Sequence, residues 1–320
     1  AGNIYVLDMQ AQDIRVYDPE GTYVRTIGGP GSGPGEIGQQ GIFLFVDQNG
    51  EVVLPDLGNI RVQRYSPEGE VLGSFRIEIA GGAPARWDMG PDGEIMAQLR
   101  GLNVEGIATL EKGDPIVIYD STGVVSDTLA MLPKGEMTAG ISEESFSMMI
   151  FAPEPVWDLS PTGYLYGARN SEYRIHVTSP EGDLTRIIAR DVGRKPVSEG
   201  EKDAIFRVMR QQMQDLGVPQ AQLEQIVQGV GIADEYPAFG QLFCGPEETL
   251  WVQRILAASD MSEEDAAEFD PQNLGSRDWE VFDREGRYLG VVSMPDRFRP
   301  VTTRDGMIYG VWADELDVQH

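Results

Sequence analysis

The amino-acid sequence predicts an all-β fold of repeated antiparallel sheets, and three observations support this prediction. A hairpin-turn motif recurs with spacings of 48, 54 and 59 residues between its last glycines, which are Gly21, Gly69, Gly123 and Gly182. Apolar and polar residues alternate on both sides of each turn, as in half-buried strands. Six repeat openings can be traced, and a full repeat holds four strand-like segments. Because repeats of about 40–50 residues with four strands are typical of β-propellers, we expect a six-bladed β-propeller with four-stranded antiparallel blades.

The strands and turns of a repeat follow from its residue types. The first copy opens with the apolar run 4–7, continues with the alternating segment 14–17, and turns at Asp18-Pro19-Glu20-Gly21. Proline presets the backbone of the second turn position and glycine suits the last, so such tetrads predict hairpin turns. Later copies open at Gly50, Gly93, Gly163, Leu250 and Gly306. A short strand is expected before each of these openings, at 42–46, 85–89, 156–159, 239–243 and 299–302.

Composition and charge limit the function classes. The 320 residues carry 25 Lys+Arg against 52 Asp+Glu, a net charge of −27, and such a surface repels nucleic-acid phosphates. The single cysteine, Cys244, cannot form an intrachain disulfide, and two histidines, His176 and His320, are too few for a three-histidine zinc site. No apolar run reaches the ~18–20 residues that cross a bilayer. We expect one domain over 1–320 with no nucleic-acid ligand, no cofactor and no transmembrane segment.

One part of the chain resembles a known family. Residues 56–65, which read Asp-Leu-Gly-Asn-Ile-Arg-Val-Gln-Arg-Tyr, and residues 69–75 are similar to the NHL repeat, and the glycine-rich segment 27–36 is similar to the link between two NHL blades. The resemblance is specific over 1–76, so the chain resembles a divergent bacterial NHL-repeat-like propeller. It implies a closed ring of blades around a channel. It implies no single function, because such propellers include lactonases, lyases, dehydrogenases and binding modules.

The two ends of the chain lie inside predicted blades. The first repeat lacks its first strand, and the last repeat stops at His320. We therefore expect the sequence to be a piece of a longer protein, in which a missing leader says nothing about location. The expected location is extracytoplasmic, in the periplasm or attached to a membrane.

A helical hairpin is expected at 196–236, between blades 4 and 5. Ser198 and Glu201 form a capping-box pattern at its start. An apolar stripe at helical spacing follows, made of Ile205, Val208, Met209, Met213 and Leu216, and a second helix holds Leu223, Ile226 and Val227. The stripe is interpreted either as packing against the propeller or as a partner-binding face. The residues proposed for the partner face are Phe206, Met209, Met213 and Leu216.

The remaining insertions are expected on the same face of the propeller as this hairpin. They are the linker 28–40, the loops 99–114 and 131–155, and the insertion 257–276, whose residues 261–269 predict an acidic helix. In an up-and-down blade, the connections that hold these segments all emerge at one face, whereas the other face has only tight turns. Because loops on a rigid scaffold carry function, we expect a ligand or a partner on the loop-rich face.

Charged residues recur at one position of the repeat, four places after the first apolar residue of the second strand. Around the chain this position holds Asp8, Asp56, Leu99 with Arg100 beside it, Arg169, Arg254 and Trp312. One interpretation is an anion site on Arg100, Arg169 and Arg254, since guanidinium groups bind carboxylates through two hydrogen bonds. The other is internal pairing, in which Asp8 binds Arg15 and Asp56 binds Arg61.

Catalytic and metal-binding signals are weak. Calcium would suit the many carboxylates, but segments 47–50 and 91–93 are better explained as turns. His176 is expected within a strand, Cys244 is expected to be buried and inert, and no Gly-x-Ser-x-Gly motif is present.

These observations favour a non-catalytic binding or scaffold module. It would dock a protein partner through the loop-rich face, as an accessory subunit on the extracytoplasmic side of a membrane-bound complex, respiratory or photosynthetic. Two alternatives stay open: a calcium-dependent lactonase-like or hydrolase-like propeller enzyme, and a sensor of small anions.

Overall fold

The computed structural model describes residues 2–79, 81–101, 110, 112–134, 139–141, 146–260 and 275–314. The chain divides into two compact units. The first consists mainly of Ala1–Gly101 and Pro115–Leu129, and the second mainly of Ala130–His320. The single domain over 1–320 stays a prediction.

The first unit contains three sheets whose strands follow one another in chain order. The first sheet consists of β1 (Ile4–Asp8), β2 (Asp13–Tyr17) and β3 (Tyr23–Ile27). The second consists of β4 (Phe45–Val46), β5 (Val52–Asp56), β6 (Arg61–Tyr65) and β7 (Val71–Arg76). The third consists of β8 (Ala83–Met89), β9 (Ile95–Arg100), β10 (Asp114–Tyr119) and β11 (Val125–Leu132), the last of which ends in the second unit.

The second unit begins with two short strands and a four-stranded sheet. The short strands are β12 (Ala139–Ile141) and β13 (Phe146–Ile150). The sheet consists of β14 (Pro155–Leu159), β15 (Leu165–Arg169), β16 (Arg174–Thr178) and β17 (Leu184–Ala189).

Two helices interrupt the series of sheets. They are α1 (Glu199–Asp215) and α2 (Gln220–Gln228), and β18 (Val230–Ile232) follows them. The next sheet consists of β19 (Leu242–Cys244), β20 (Leu250–Ile255), β21 (Gly275–Phe282) and β22 (Tyr288–Ser293). A two-stranded sheet of β23 (Phe298–Arg304) and β24 (Met307–Trp312) comes last.

Each predicted repeat coincides with one of these meander sheets. In the described part of the chain, four of the repeats have the predicted four strands, whereas the first has three and the last has two. The predicted turns are confirmed: the N–H of Gly21 donates to the carbonyl oxygen of Asp18 at 3.0 Å, and Gly69, Gly123, Gly182 and Gly286 close equivalent turns. All five glycines have a positive φ, which a residue with a side chain adopts only at a cost.

The core lies between neighbouring sheets of each unit. In the first unit, Ile14 and Val16 of β2 form a buried cluster with Val52 and Leu54 of β5. In the second unit, the β14–β17 and β19–β22 sheets share a cluster that includes Ile175, Val177, Leu250, Val252 and Phe282. Strand β5 is buried along its whole length.

The helical insertion is confirmed as two helices. Ser198 caps α1, and the reciprocal bonds between Ser198 and Glu201 complete the capping box. The predicted stripe begins inside the protein and ends in solvent: Ile205 is 5 % exposed, Met209 and Met213 are half-buried, and Leu216 is 83 % exposed. The predicted acidic helix at 261–269 lies outside the described residues. No helix in the described ranges is long and apolar enough to cross a lipid bilayer.

Candidate functional site

Segments from separate connections of the second unit pair with each other. Strand β13 belongs to the connection 131–155, and β18 belongs to the insertion 196–236. The two strands pair in parallel, with Met148 opposite Val230 and Ile150 opposite Ile232. Two connections that are far apart in the chain therefore form one three-stranded sheet, β12-β13-β18.

These segments also share one hydrophobic core. Phe151 comes from the first connection, Val197, Ile205 and Tyr236 come from the helical insertion, and Ala257 comes from the segment after β20. The rings of Phe151 and Tyr236 lie 4.6 Å apart between their centroids. We call residues 146–153, 194–236 and 257–260 the insertion cap.

Polar contacts fix the base of the insertion cap. Arg194 donates to the carbonyl oxygen of Tyr236 at 2.7 Å and pairs with the Glu235 carboxylate at 3.1 Å. Lys202 pairs with Asp234 at 2.8 Å and lowers the pKa of that carboxyl. The Tyr236 hydroxyl donates to Glu201 at 3.0 Å, and burial raises the pKa of Tyr236 to about 12. The two ends of the helical insertion are thereby held together.

Described parts of three predicted insertions, 131–155, 196–236 and 257–276, contact one another in the insertion cap, whereas the placement of all insertions on one face stays a prediction. The linker 28–40 belongs to the first unit, and most of the loop 99–114 lies outside the described residues. The four residues predicted for the partner face all lie on α1 or at its end. Phe206, Met209 and Met213 are half-buried, and Leu216 is exposed.

The insertion cap is rich in flexible apolar side chains. Four of the 12 methionines of the chain lie in it: Met148, Met149, Met209 and Met213. Met149 and Val208 add exposed apolar surface to that of Leu216. Methionine adapts its shape to different neighbours and is common at binding surfaces. This surface can therefore bind an apolar partner surface.

The charged residues at the predicted repeat position lie at or next to the ends of strands β1, β5, β9, β15 and β20. The predicted pairing of Asp8 with Arg15 is confirmed at 2.8 Å. A hydrogen bond from the Ala11 N–H and the charge of Arg15 lower the pKa of Asp8. Asp56 is completely buried and lies 3.9 Å from the Nε of Arg61. The carboxylates of Asp8 and Asp56 therefore stabilise the fold.

Asp56 has two further partners that sequence reasoning missed. The backbone N–H and the side-chain amide of Asn59 donate to its carboxylate at 3.1 and 2.7 Å, and the Gly38 N–H donates at 3.1 Å. Asp56 thus binds the linker 28–40 to the end of strand β5.

Strand β6 holds the rest of this linker. Arg61, Gln63 and Tyr65 alternate along β6, so their side chains share one face. Gln63 donates to the Glu36 carbonyl oxygen at 2.7 Å and accepts from the Gly35 N–H at 2.9 Å. Arg61 donates to three linker carbonyl oxygens, those of Ser32, Gly33 and Glu36. The period-two spacing of three polar side chains was the sequence signal for this contact.

Arg254 binds a buried carboxylate instead of facing solvent alone. Its Nε and Nη2 donate to Oε1 of Glu280 at 3.2 and 3.0 Å, and Arg190 donates to Oε2 of the same carboxylate. The Tyr173 hydroxyl donates to Oε2 at 2.7 Å. The side chain of Glu280 is 7 % exposed, whereas those of Arg190 and Arg254 are 33 % and 46 % exposed. We call these four residues the two-arginine cluster.

The electrostatics of the two-arginine cluster follow from its burial and hydrogen bonds. Burial acts to raise the pKa of Glu280, but the hydrogen bonds from Arg190, Tyr173 and Arg254 outweigh it, so this pKa lies below its usual value. Burial and the bond to Glu280 raise the pKa of Tyr173, so its hydroxyl stays protonated. Glu280 is therefore an anion and Tyr173 a neutral donor at neutral pH.

The three arginines of the predicted anion site lie at strand ends in two different units of the chain, and the three-arginine site stays a prediction. Arg100, the last residue of β9, belongs to the first unit, whereas Arg169 and Arg254 belong to the second. Arg169 ends β15 beside Asn170, which is buried and bonds to the Glu154 N–H. Arg254 pairs with Glu280 of β21, a buried carboxylate that requires a counter-charge.

The other predicted chemistry is located as follows. His176 lies in β16, as predicted, and Cys244 is buried in β19, with its N–H donating to Asp158 at 2.6 Å. Among the residues that the structure covers, no group of three His, Cys, Asp or Glu side chains could hold a metal ion.

Comparison with known proteins supports the propeller fold. Residues 1–79 match the model of a family described as a 6-bladed beta-propeller. No curated protein matches the sequence. A structure from Bacteroides vulgatus, a member of the DUF4221 family, aligns with a TM-score of 0.55 and 12 % identity, over 97 % of this chain and 83 % of the other.

Two further structures are similar at comparable identity. A protein from Bacteroides fragilis that is described as exported aligns with a TM-score of 0.51 and 13 % identity, over 98 % of this chain and 77 % of the other. Virginiamycin B lyase from Staphylococcus aureus aligns at 12 % identity over 97 % of this chain and 80 % of the other, but its TM-score of 0.44 carries no argument. Together with the family match, the first two alignments show an all-β propeller fold.

Proposed function

We propose that this propeller is a non-catalytic binding module that docks a protein partner through the insertion cap. One observation carries the proposal: segments that leave different sheets fold together into one cap, and the apolar stripe of its longest helix continues into solvent. An apolar stripe that only packed against the protein's own core would end where the buried part of the helix ends.

The exposure gradient along α1 supports this role. Ile205 is buried in the core of the insertion cap, whereas Leu216, which lies on the same side of the helix three turns later, is almost fully exposed. Burying a leucine or valine side chain stabilises a complex by about 1.5–3 kcal/mol. Leu216 and Val208 can therefore act as anchors for an apolar partner surface, with Met209 and Met213 adapting around them.

The proposal also includes the number of blades, the number of domains and the location of the protein. The family description supports six blades, and the alignments over nearly the whole chain support one propeller domain. The exported protein of Bacteroides fragilis supports a location outside the cytoplasm. We place the chain there as an accessory subunit of a larger complex.

Site-specific photocrosslinking in the native cells tests the docking surface. A photoreactive amino acid at position 208 or 216 should give a discrete adduct with one other protein. The matched control is position 184, because Leu184 of β17 is similarly exposed but lies outside the insertion cap. An adduct that is absent from both cap positions, or equally strong at position 184, would contradict the proposal.

A further inference from the structure

We propose that the two-arginine cluster is a binding site for a carboxylate ligand. The site consists of Arg190 and Arg254, held on either oxygen of Glu280, with Tyr173 as the third donor to that carboxylate. This inference is independent of the insertion cap as a docking surface.

The hydrogen bonds within the cluster leave donors unused. Glu280 accepts bonds from Tyr173, Arg190 and Arg254, and these fill the lone-pair positions of its two oxygens. A guanidinium group has N–H donors on both edges of a planar fork. In the described residues, Nη1 of Arg254 donates to no protein atom, and nearly half of this side chain is exposed. One edge of the fork therefore faces solvent.

The charge of the cluster favours a second anion. Two guanidinium groups surround one carboxylate, so the cluster has one positive charge in excess within a protein whose net charge is −27. An internal ion pair would need only one arginine. A bound monoanion would neutralise the cluster, and a planar carboxylate matches the fork of a guanidinium group. The surrounding negative charge disfavours a phosphate dianion more strongly.

Aromatic rings hold one of the arginines in place before any ligand binds. The guanidinium carbon of Arg190 lies 4.9 Å from the ring centroid of Tyr288 and 5.5 Å from that of Tyr173. Tyr173 is buried and its hydroxyl is bonded to Glu280, so the ring cannot move away. A side chain fixed in this way loses little conformational freedom when a ligand binds.

The ligand is either a small organic acid or the free C-terminus of a peptide, since both present the same group. Titration calorimetry with the whole chain can separate the two sources. The probes are acetate, succinate, inorganic phosphate, and an acetylated tetra-alanine peptide with either a free or an amidated C-terminus. Binding of acetate or succinate assigns the small acids, and binding of the free peptide but not the amidated one assigns a C-terminus.

Two variants tie the binding to the cluster. Arg254→Gln leaves Glu280 paired with Arg190 and Tyr173, so the protein should fold, and carboxylate affinity should fall about tenfold or more. Arg254→Lys keeps the charge without the planar fork and should weaken binding as well. Arg284→Gln is the control, because Arg284 is exposed and pairs with its neighbour Glu285; it should bind like the wild type.

Three outcomes would overturn the assignment. They are no binding of any carboxylate to the wild type, unchanged affinity in both Arg254 variants, and phosphate binding that is tighter than carboxylate binding.

Discussion

Replacing Glu280 with glutamine is the sharpest test of how the two neighbouring sheets of the second unit are joined. Glu280 lies in β21, whereas Tyr173 and Arg190 flank β16 and β17 of the preceding sheet. Glu280→Gln keeps the size of the side chain but removes the negative charge between two arginines. Removing one partner of a buried ion pair costs about 3–5 kcal/mol, and we expect about 3 because both arginines can reach solvent.

The assay is unfolding in urea, followed by far-ultraviolet circular dichroism. The wild type and Glu280→Gln should show parallel transitions, with the variant midpoint displaced to lower urea. Glu285→Gln serves as the control, since Glu285 pairs with an exposed arginine, and it should leave the midpoint unchanged. A loss below about 1 kcal/mol for Glu280→Gln would refute the claim that this carboxylate is a buried counter-charge.

The same residue predicts a dependence on pH. The pKa of Glu280 is lower in the folded protein than in the unfolded chain, so the folded state binds fewer protons at this group. Its contribution is complete above the unfolded value of about 4.3 and is lost as the pH falls through the folded value. The midpoint of the wild type should therefore fall further between pH 6 and pH 3 than that of Glu280→Gln, and identical pH profiles would contradict this account.

Three further substitutions test local features of the fold and the insertion cap. Ile60 has a φ of +51°, a conformation that asparagine adopts more easily than a β-branched residue. Ile60→Asn should therefore stabilise the protein by up to about 1 kcal/mol, measured as a higher urea midpoint. A lower midpoint would show that packing of the isoleucine outweighs the backbone strain. Ser198→Ala removes the α1 cap and should cost about 1 kcal/mol, seen as faster amide exchange in the first turn of α1 but not in β16. Leu216→Glu should leave the urea midpoint within about 0.5 kcal/mol of the wild type, because Leu216 contacts little of its own protein; a large loss would mean that it serves the fold.

Local patterns were sufficient to predict most of the sheets. Each tetrad that ends in glycine forms the expected turn, and in four of the five the aspartate or serine that opens it also accepts backbone N–H groups, as Asp18 does from Glu20 and Thr22. The capping box of α1 depends only on residues three positions apart, Ser198 and Glu201. Interactions at such short separation are visible in the sequence itself.

The candidate sites depend on contacts that no local pattern contains. Glu280 lies 90 positions from Arg190 and 107 from Tyr173, so their meeting depends on how two sheets pack. A carboxylate buried in a sheet requires partners, but the sequence does not identify them. Strand β18 joins β13 across about 80 positions, and three residues are too few to show a strand pattern.

The native assembly state tests the central claim most directly. The wild type and Leu216→Glu should each be isolated from the native cells under conditions that do not dissociate protein complexes. The mass of each is then measured by size-exclusion chromatography with light scattering. The account predicts a stoichiometric complex with one other protein for the wild type and a free chain for the variant. A wild-type protein that runs at the mass of a single free chain, or a complex that Leu216→Glu leaves intact, would contradict it.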